Sequence, residues 1–230
     1  MPTHRTIRLG TRSSNLALTQ SRMIAHALAA AHAGLDVQLI EISTTGDQVT
    51  DKPLQSFGGA GVFVKELESA LLEKRVDFAV HSLKDMPTKQ PKGLINAAIA
   101  GREDPRDVLV LRENQFIDAL PAGSILGSGS TRRRLQLKEA YPALEFEEIR
   151  GNVETRIRKI SEGQFCGTIL ARAGLKRLGI LRGTASTIQS KELGVSFHVL
   201  PLSLMLPAPG QGALGIECRG EDSRTRRLLG

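Results

Sequence analysis

The chain has 230 residues, 40 % of them hydrophobic and 24 % charged, enough for one large domain or two of roughly 100 residues each around a packed core. Its formal net charge of +7 asks for an anionic partner, and with no Trp, one Tyr and 3 % aromatics a small polycarboxylate or phosphate suits it at least as well as single-stranded nucleic acid, whose bases stack on aromatic faces. Two cysteines outside any CxxC pair and five scattered histidines weigh against a disulfide framework or a metal site, residues 1–10 hold no signal-peptide core, and no stretch nears the ~20 apolar residues of a membrane span, so a soluble, reduced, cytoplasmic protein is expected.

Strand and helix signals alternate along the chain. Residues 6–9 read as a strand, followed by Thr11-Arg12-Ser13-Ser14 and a helix to about residue 30 with Leu16, Met23, Ile24 and Leu28 on one face. Residues 37–42 read as the next strand. The turn Gly58-Gly59-Ala60-Gly61 precedes a helix carrying Phe63, Leu67, Ala70 and Leu71 at helical spacing. The apolar run 78–81 predicts a buried strand, and 94–100 another. The polar segment Arg102-Glu103-Asp104-Pro105-Arg106-Asp107 separates two strand signals and reads as a domain crossover. Beyond it, strands are predicted over 108–111, 125–127, 145–149 and 168–171, with helices over 131–140 and 152–161 and a short one reaching 178. Strands over 198–202 and 213–218 close the pattern. The alternation predicts an α/β fold with largely parallel sheets. In such sheets ligands bind beyond the carboxyl ends of the strands, often against helix N-termini.

Four strand-to-helix junctions share one chemical character: Arg12-Ser13-Ser14, His81-Ser82-Leu83-Lys84-Asp85, the run from Gly127 to Arg134, and Arg150-Gly151-Asn152 with Thr155 and Arg156. Each offers hydroxyls, backbone amides and cations, and arginine forks match carboxylates bidentately. Taken singly, each junction reads more simply as a helix cap beside a solvated arginine; four on one chain favour an anion-binding cleft. Asp85 is a carboxylate among cations. It reads either as a cap or salt-bridge partner of Lys84, or as a group that stabilises positive charge or moves protons. His81 follows an apolar run and reads as a satisfied, partly buried histidine; Cys166 and Cys218 read as core thiols. The glycine-rich turn at 58–61 has no Lys-Ser/Thr ending of a nucleotide loop.

Several blocks, in order over nearly the whole chain, resemble porphobilinogen deaminases: Gly10-Thr11-Arg12-Ser13-Ser14, Val64-Lys65-Glu66-Leu67-Glu68, Ala79-Val80-His81-Ser82-Leu83-Lys84-Asp85-Met86-Pro87, Arg102-Glu103-Asp104-Pro105-Arg106-Asp107, Leu120-Pro121-Ala122-Gly123-Ser124, Arg150-Gly151-Asn152-Val153, Ala173-Gly174-Leu175-Lys176-Arg177-Leu178-Gly179 and Gly210-Gln211-Gly212-Ala213. The resemblance implies two α/β domains similar to type II periplasmic binding proteins, here 1–101 with 200–219 and 102–199, with an arginine-lined cleft between them. Residues 220–230 then begin a connection to the family's third small α/β domain, which is absent here. It implies a transferase of tetrapyrrole biosynthesis that condenses four porphobilinogen molecules, releasing ammonia each time, into hydroxymethylbilane on a covalently held dipyrromethane. By the same resemblance, Asp85 is the catalytic aspartate that takes pyrrole N–H groups and stabilises the azafulvene cation left by deamination. Ser82, Lys84, Asp85, Ser130, Arg132 and Arg133 are the cofactor contacts, and Arg12, Ser14, Arg150, Arg156 and Arg177 handle substrate. No nucleic-acid or membrane partner is implied; the family is usually monomeric, and self-association is open here.

The chain departs from the family pattern at three places. Ala60 and Ser56 stand where a glycine-rich loop often carries lysine, Ser128-Gly129-Ser130 replaces a run usually rich in three hydroxyls, and the chain stops at Gly230 before the Gly-Gly-Cys segment that carries the cofactor. Neither Cys166 nor Cys218 matches that cysteine. The expectation is either a piece of a longer protein or a natural short form. As an enzyme it makes hydroxymethylbilane; the alternative is a turnover-deficient two-domain module that binds polycarboxylate pyrroles without a covalent primer.

Overall fold

Burial on both faces explains why the strand signals are short and nearly all apolar. The computed structural model describes residues 5–44 and 64–230. The chain folds into two compact units, Met1–Arg102 with Ala213–Gly230, and Glu103–Gly212. Residues 56–61 and Phe63, on which the reading of a glycine-rich turn and a helix start rests, lie outside the described residues.

The first unit holds β1 (Arg5–Thr11), β2 (Leu35–Glu41), β3 (Phe78–Ser82), β4 (Leu94–Ala100) and β11 (Leu214–Arg219). They form one sheet in the order β2-β1-β3-β11-β4. Its helices are α1 (Asn15–Ala31), α2 (Lys65–Leu72) and α6 (Ser223–Leu229). Side chains alternate across β3: Phe78 and Val80 join Ile7, Leu9, Ile24 and Ile216 on one face, while Ala79 joins Leu67, Ala70, Leu71 and Val76 on the other. The buried residues of α1 are Gln20, Ser21, Ile24 and Ala25, and Met23 is exposed. The apolar face expected for this helix is therefore displaced, because its inner face meets polar groups at the strand ends.

The second unit holds β5 (Asp107–Arg112), β6 (Ile125–Gly127), β7 (Glu145–Glu147), β8 (Gly167–Ala171), β9 (Thr187–Ser190) and β10 (Val195–Val199), in the order β7-β6-β8-β5-β10-β9. Its helices are α3 (Thr131–Ala140), α4 (Val153–Ser161) and α5 (Arg172–Arg177). Val108, Val110, Ile157 and Phe197 pack on one face; Leu109, Leu111, Leu126 and Leu137 pack on the other.

Two features differ from the expectation. The sheets are mixed rather than largely parallel: β11 runs antiparallel to both β3 and β4, and β5 runs antiparallel to β8 and β10. Strand β11 returns from the far end of the sequence and inserts between two earlier strands, which needs no helical crossover. Residues 200–212 belong with the second unit, where Leu200 and Met205 are buried beside Leu109 and Leu126, and α6 packs Leu228 and Leu229 onto the first unit's core.

Close packing in β8 sets a limit on side-chain size. A Cβ on Gly167 would lie 2.6 Å from Leu111 Cδ2 and 2.8 Å from the Val110 carbonyl oxygen. Gly167→Ala is expected to lower unfolding stability by about 1–3 kcal/mol, as overpacking does, measured as a shift of the urea midpoint; an unchanged midpoint would show that the strand pair yields at no cost.

Candidate active site

In the first unit, β1 and β3 are neighbouring parallel strands, so the segments leaving their carboxyl ends emerge at one sheet edge. From β1 come Arg12, Ser13 and Ser14; from β3 come Ser82, Lys84 and Asp85, the last two on a single 3-10 turn at Leu83–Asp85. Ser14 caps α1, its Oγ accepting the Ala17 amide at 3.4 Å. The Leu83 amide donates to the Ala213 carbonyl at 3.1 Å, and a Cβ on Gly215 would run into Met86 Sδ, so β11 fits closely under the turn. Buried Gln20 donates from Nε2 to Ser82 Oγ at 3.3 Å, tying α1 to the end of β3. No local pattern signals this tie, because Gln20 sits in a helix read by its apolar residues.

Lys84 and Asp85 are both half-buried. Among the described residues, the Asp85 carboxylate takes part in no hydrogen bond or ion pair. On the paired strands β3 and β11, His81 and Glu217 are both buried, with His81 Nε2 3.2 Å from Glu217 Oε2. The histidine lies inside the sheet, more fully buried than its place after an apolar run suggests, and its Nε2 has no hydrogen-bond partner among the described residues, so the expectation of a satisfied histidine is not met. Burial and then the charge of Glu217 push the nearby Glu68 carboxyl up, with His81 and Lys65 opposing.

In the second unit, β6 is parallel to β7 and β8, so α3, α4 and α5 all start at one edge. Strand β5 runs the other way beside β8, which brings its first residue, Asp107, opposite Ala171 at the same edge. Ser130 caps α3 by accepting the Arg133 amide at 3.4 Å, and Asn152 caps α4 by accepting the Thr155 amide at 2.8 Å. The helix-cap reading of these hydroxyl and amide side chains therefore holds at three of the four junctions.

Asp107 is fully buried and organises its surroundings. Arg133 donates to its Oδ1 from Nη2 at 2.6 Å and from Nε at 3.2 Å, and to the Ile169 carbonyl from Nη1 at 2.9 Å. Arg132 donates from Nη2 to Oδ2 at 2.8 Å, and from Nη1 to the Leu206 carbonyl. Gln211 adds an Nε2 donation to Oδ1 at 3.0 Å and another to the Pro105 carbonyl at 2.6 Å. Burial pushes the Asp107 carboxyl up, but the two guanidinium charges and their hydrogen bonds outweigh it and hold the group below the ordinary carboxylate range. The Arg133 side chain is only 10 % exposed and turned inward; that of Arg132 is 25 % exposed.

Three further arginines are also held. Arg150 Nη1 lies 3.6 Å from Glu148 Oε1, Arg156 donates from Nε to the Gly151 carbonyl at 2.8 Å, and Arg177 donates from Nη2 to the Gly212 carbonyl at 2.6 Å. The Arg177 Nε is buried without a hydrogen-bond partner among the described residues, and burial pulls its guanidinium down against the charge of Glu103. The Arg102–Asp107 block, read from sequence only as a crossover, is an ion-pair network: Asp104 takes Arg106 at 2.7 Å and Arg172 at 3.0 Å, and Glu103 takes Lys176 at 2.8 Å. Cys218 is fully buried and its thiol is pushed up by burial, Cys166 packs beside Leu126, and among the described residues no cluster of His, Cys, Asp and Glu could hold a metal ion. Among the described residues no helix is long and apolar enough to cross a membrane.

A family model described as "Porphobilinogen deaminase, dipyromethane cofactor binding domain" matches residues 7–227. The chain is 48 % identical over 223 residues to porphobilinogen deaminases from two strains of Acidithiobacillus ferrooxidans, ATCC 53993 and ATCC 23270, covering 97 % of this chain and 69 % of each relative. Among solved structures, the BenM effector-binding domain with benzoate aligns with 98 % of this chain and 88 % of its own, at a TM-score of 0.54 and 15 % identity. A reduced form of OxyR from N. meningitidis covers 97 % of this chain and 90 % of its own, at 0.51 and 14 %. These two likenesses concern the fold alone, an α/β pair of the kind found in type II periplasmic binding proteins.

The donor set fits a dipyrromethane with carboxylate side chains. Such a group asks for N–H donors and cations around its periphery and an acceptor for its pyrrole N–H groups. Each unit holds part of such a set: in the first, Asp85 supplies an acceptor without a partner among the described residues and Lys84 a neighbouring cation; in the second, Arg132 supplies a partly exposed guanidinium and Arg177 a buried N–H with nothing to bond among the described residues.

Removing one of the two cations on Asp107 leaves buried charge poorly compensated. Arg133→Met is expected to cost about 3–5 kcal/mol in unfolding stability, seen as a lower urea midpoint at pH 7. Because the folded-state Asp107 sits below its unfolded value, its contribution is fully present above about pH 4 and is lost as pH falls through the folded value. Urea midpoints measured from pH 7 down to pH 3 are therefore expected to fall more steeply for the native chain than for Arg133→Met; parallel curves would contradict this assignment.

Proposed function

Because this chain belongs to the porphobilinogen deaminase family, we propose that the residues at its strand ends carry out the family's reaction. The chain is a transferase of tetrapyrrole biosynthesis that condenses four porphobilinogen molecules into hydroxymethylbilane with release of ammonia. The observation that carries the residue assignment is the half-buried Asp85 carboxylate, next to Lys84 at the carboxyl end of β3 and without a partner among the described residues. Close relatives that carry the activity's name disfavour the alternative of a binding module without turnover.

Asp85 accepts the pyrrole N–H of porphobilinogen and faces the positive charge that develops when the aminomethyl C–N bond breaks. Ammonia leaves with the bonding pair, and the methylene carbon then forms a C–C bond to a pyrrole α-carbon, whose proton is released. A carboxylate close to the developing cation lowers the barrier by electrostatic stabilisation. When bound, dipyrromethane supplies the pyrrole α-carbon that begins the chain. Ser82 and Lys84 of the first unit and Ser130 and Arg132 of the second contact its carboxylates, whereas Arg133, a further contact by the resemblance, has its Nε and both Nη atoms committed to Asp107 and the Ile169 carbonyl and stands behind Arg132. Arg12, Ser14, Arg150, Arg156 and Arg177 take the acetate and propionate groups of arriving substrate through guanidinium forks and hydroxyls. The reaction needs only small soluble reactants, and the cytoplasm is the proposed compartment.

Asp85→Asn keeps the shape and removes the charge. Incubation with porphobilinogen, following hydroxymethylbilane-derived porphyrin, is expected to show a fall of at least about 10²-fold with the urea midpoint unchanged. Full activity in the variant, or its unfolding, would remove Asp85 from the role.

A further inference from the structure

We infer that Asp107 is a positioning residue, which fixes the Arg132 guanidinium so that its outward N–H groups meet a ligand carboxylate already oriented. The inference rests on the reading of Arg132 as a contact to the carboxylates of the pyrrole ligand.

The two carboxylate oxygens of Asp107 are divided between separate tasks. Oδ1 is taken by Nε and Nη2 of Arg133 and by Nε2 of Gln211, which leaves Oδ2 to Arg132. Arg133 is itself anchored to the Ile169 carbonyl in β8, and Gln211 to the Pro105 carbonyl, so the carboxylate is held from the strand side and from the loop side. On its outer side Arg132 is fixed again by the Leu206 carbonyl, while Gln136 clasps the same residue, accepting the Leu206 amide at 2.8 Å. An arginine side chain loses roughly 2 kcal/mol of rotamer freedom when immobilised. Here that loss is met in folding, so a ligand carboxylate does not bear it on binding. Buried ion clusters contribute little net stability compared with apolar packing, so stabilising the fold does not by itself account for a buried carboxylate with two arginines on it. An asparagine could not replace it: one of its two ends would present N–H groups to a guanidinium.

The test is a double-mutant cycle read by affinity. The probe is a synthetic dipyrromethane bearing one acetate and one propionate on each ring, titrated calorimetrically into the 230-residue protein, Asp107→Asn, Arg132→Leu and the double variant. Expected are a fall in affinity of about tenfold or more for Asp107→Asn in the native background and less than about twofold in the Arg132→Leu background, because Asp107 acts through Arg132. An equal fall in both backgrounds is what a merely structural role gives, and it overturns the inference. So does unchanged affinity in Asp107→Asn while Arg132→Leu binds weakly. Unchanged affinity in Arg132→Leu defeats the reading of Arg132 itself, and the inference with it. Should Asp107→Asn fail to fold, Gln211→Leu withdraws one donor from the same carboxylate without adding charge. It is expected to weaken binding about threefold in the native background and not at all with Arg132→Leu, and equal weakening in both backgrounds would again overturn the inference.

Discussion

A carboxylate taken out of water must be neutralised by partners of fixed geometry, and Asp107 places that demand at the start of β5. Meeting it brings together groups far apart in sequence. Arg133 comes from the first turn of α3, Gln211 from the return segment and the Ile169 carbonyl from β8. Because β5 is antiparallel to β8, the same point is also the carboxyl edge of the parallel strands β6, β7 and β8, where three helices begin. The buried charge therefore sits behind the helix starts that present amides, hydroxyls and cations at this edge. The rigidity of one follows from the satisfaction of the other.

The first unit repeats the arrangement with different chemistry. His81 and Glu217 are buried inside the sheet, on the strand that leads to Ser82, Lys84 and Asp85 and on its neighbour. Their separation is that of an ion pair, while the orientation leaves the His81 Nε2 and both Glu217 oxygens without an aligned hydrogen bond among the described residues. These two side chains therefore pack between β3 and β11, while the ladder of the two strands carries the directed bonds. In the first unit two strands carry the buried polar pair and the 3-10 turn after β3 carries Lys84 and Asp85; in the second a strand supplies Asp107 and the first turn of α3 supplies its two arginines. A strand fixes its side chains by register, whereas a turn frees them to project.

Much of this arrangement is legible in the sequence. The apolar runs at 78–80 and 108–111, the caps at Ser14, Ser130 and Asn152, and the helix at 131–140 all follow from local pattern, because burial on both faces and capping act within a few residues. Strand β9, with alternating exposed residues and no apolar run, carries no such signal, and neither does α6. The direction of β11 is also hidden, since parallel and antiparallel strands have the same two-residue period. At the site, Arg132 and Arg133 look equivalent as adjacent cations; only the fold shows that helical rotation turns one inward to Asp107 and leaves the other at the surface. Asp107 reads as part of a polar crossover, because nothing local marks a charged residue as the first buried position of a strand.

The difference between the two arginines also bears on how a cluster of cations selects its ligand. Basic groups turned loosely toward one place would bind any polyanion, with an affinity set mainly by charge and salt. Here the cations are tied down one by one: Arg132 by Asp107, Arg150 by Glu148, Arg156 by the Gly151 carbonyl and Arg177 by the Gly212 carbonyl. Each hydrogen-bonded tether uses part of a guanidinium and fixes the direction of the rest, so on the proposed reading the second unit matches a ligand by the spacing of its carboxylates rather than by their number. In the first unit, on the same proposed reading, the Asp85 carboxylate beside Lys84 adds an acceptor for N–H groups that a simple polyanion lacks. Acetate and propionate on a pyrrole ring, together with the ring N–H, meet both conditions in one molecule.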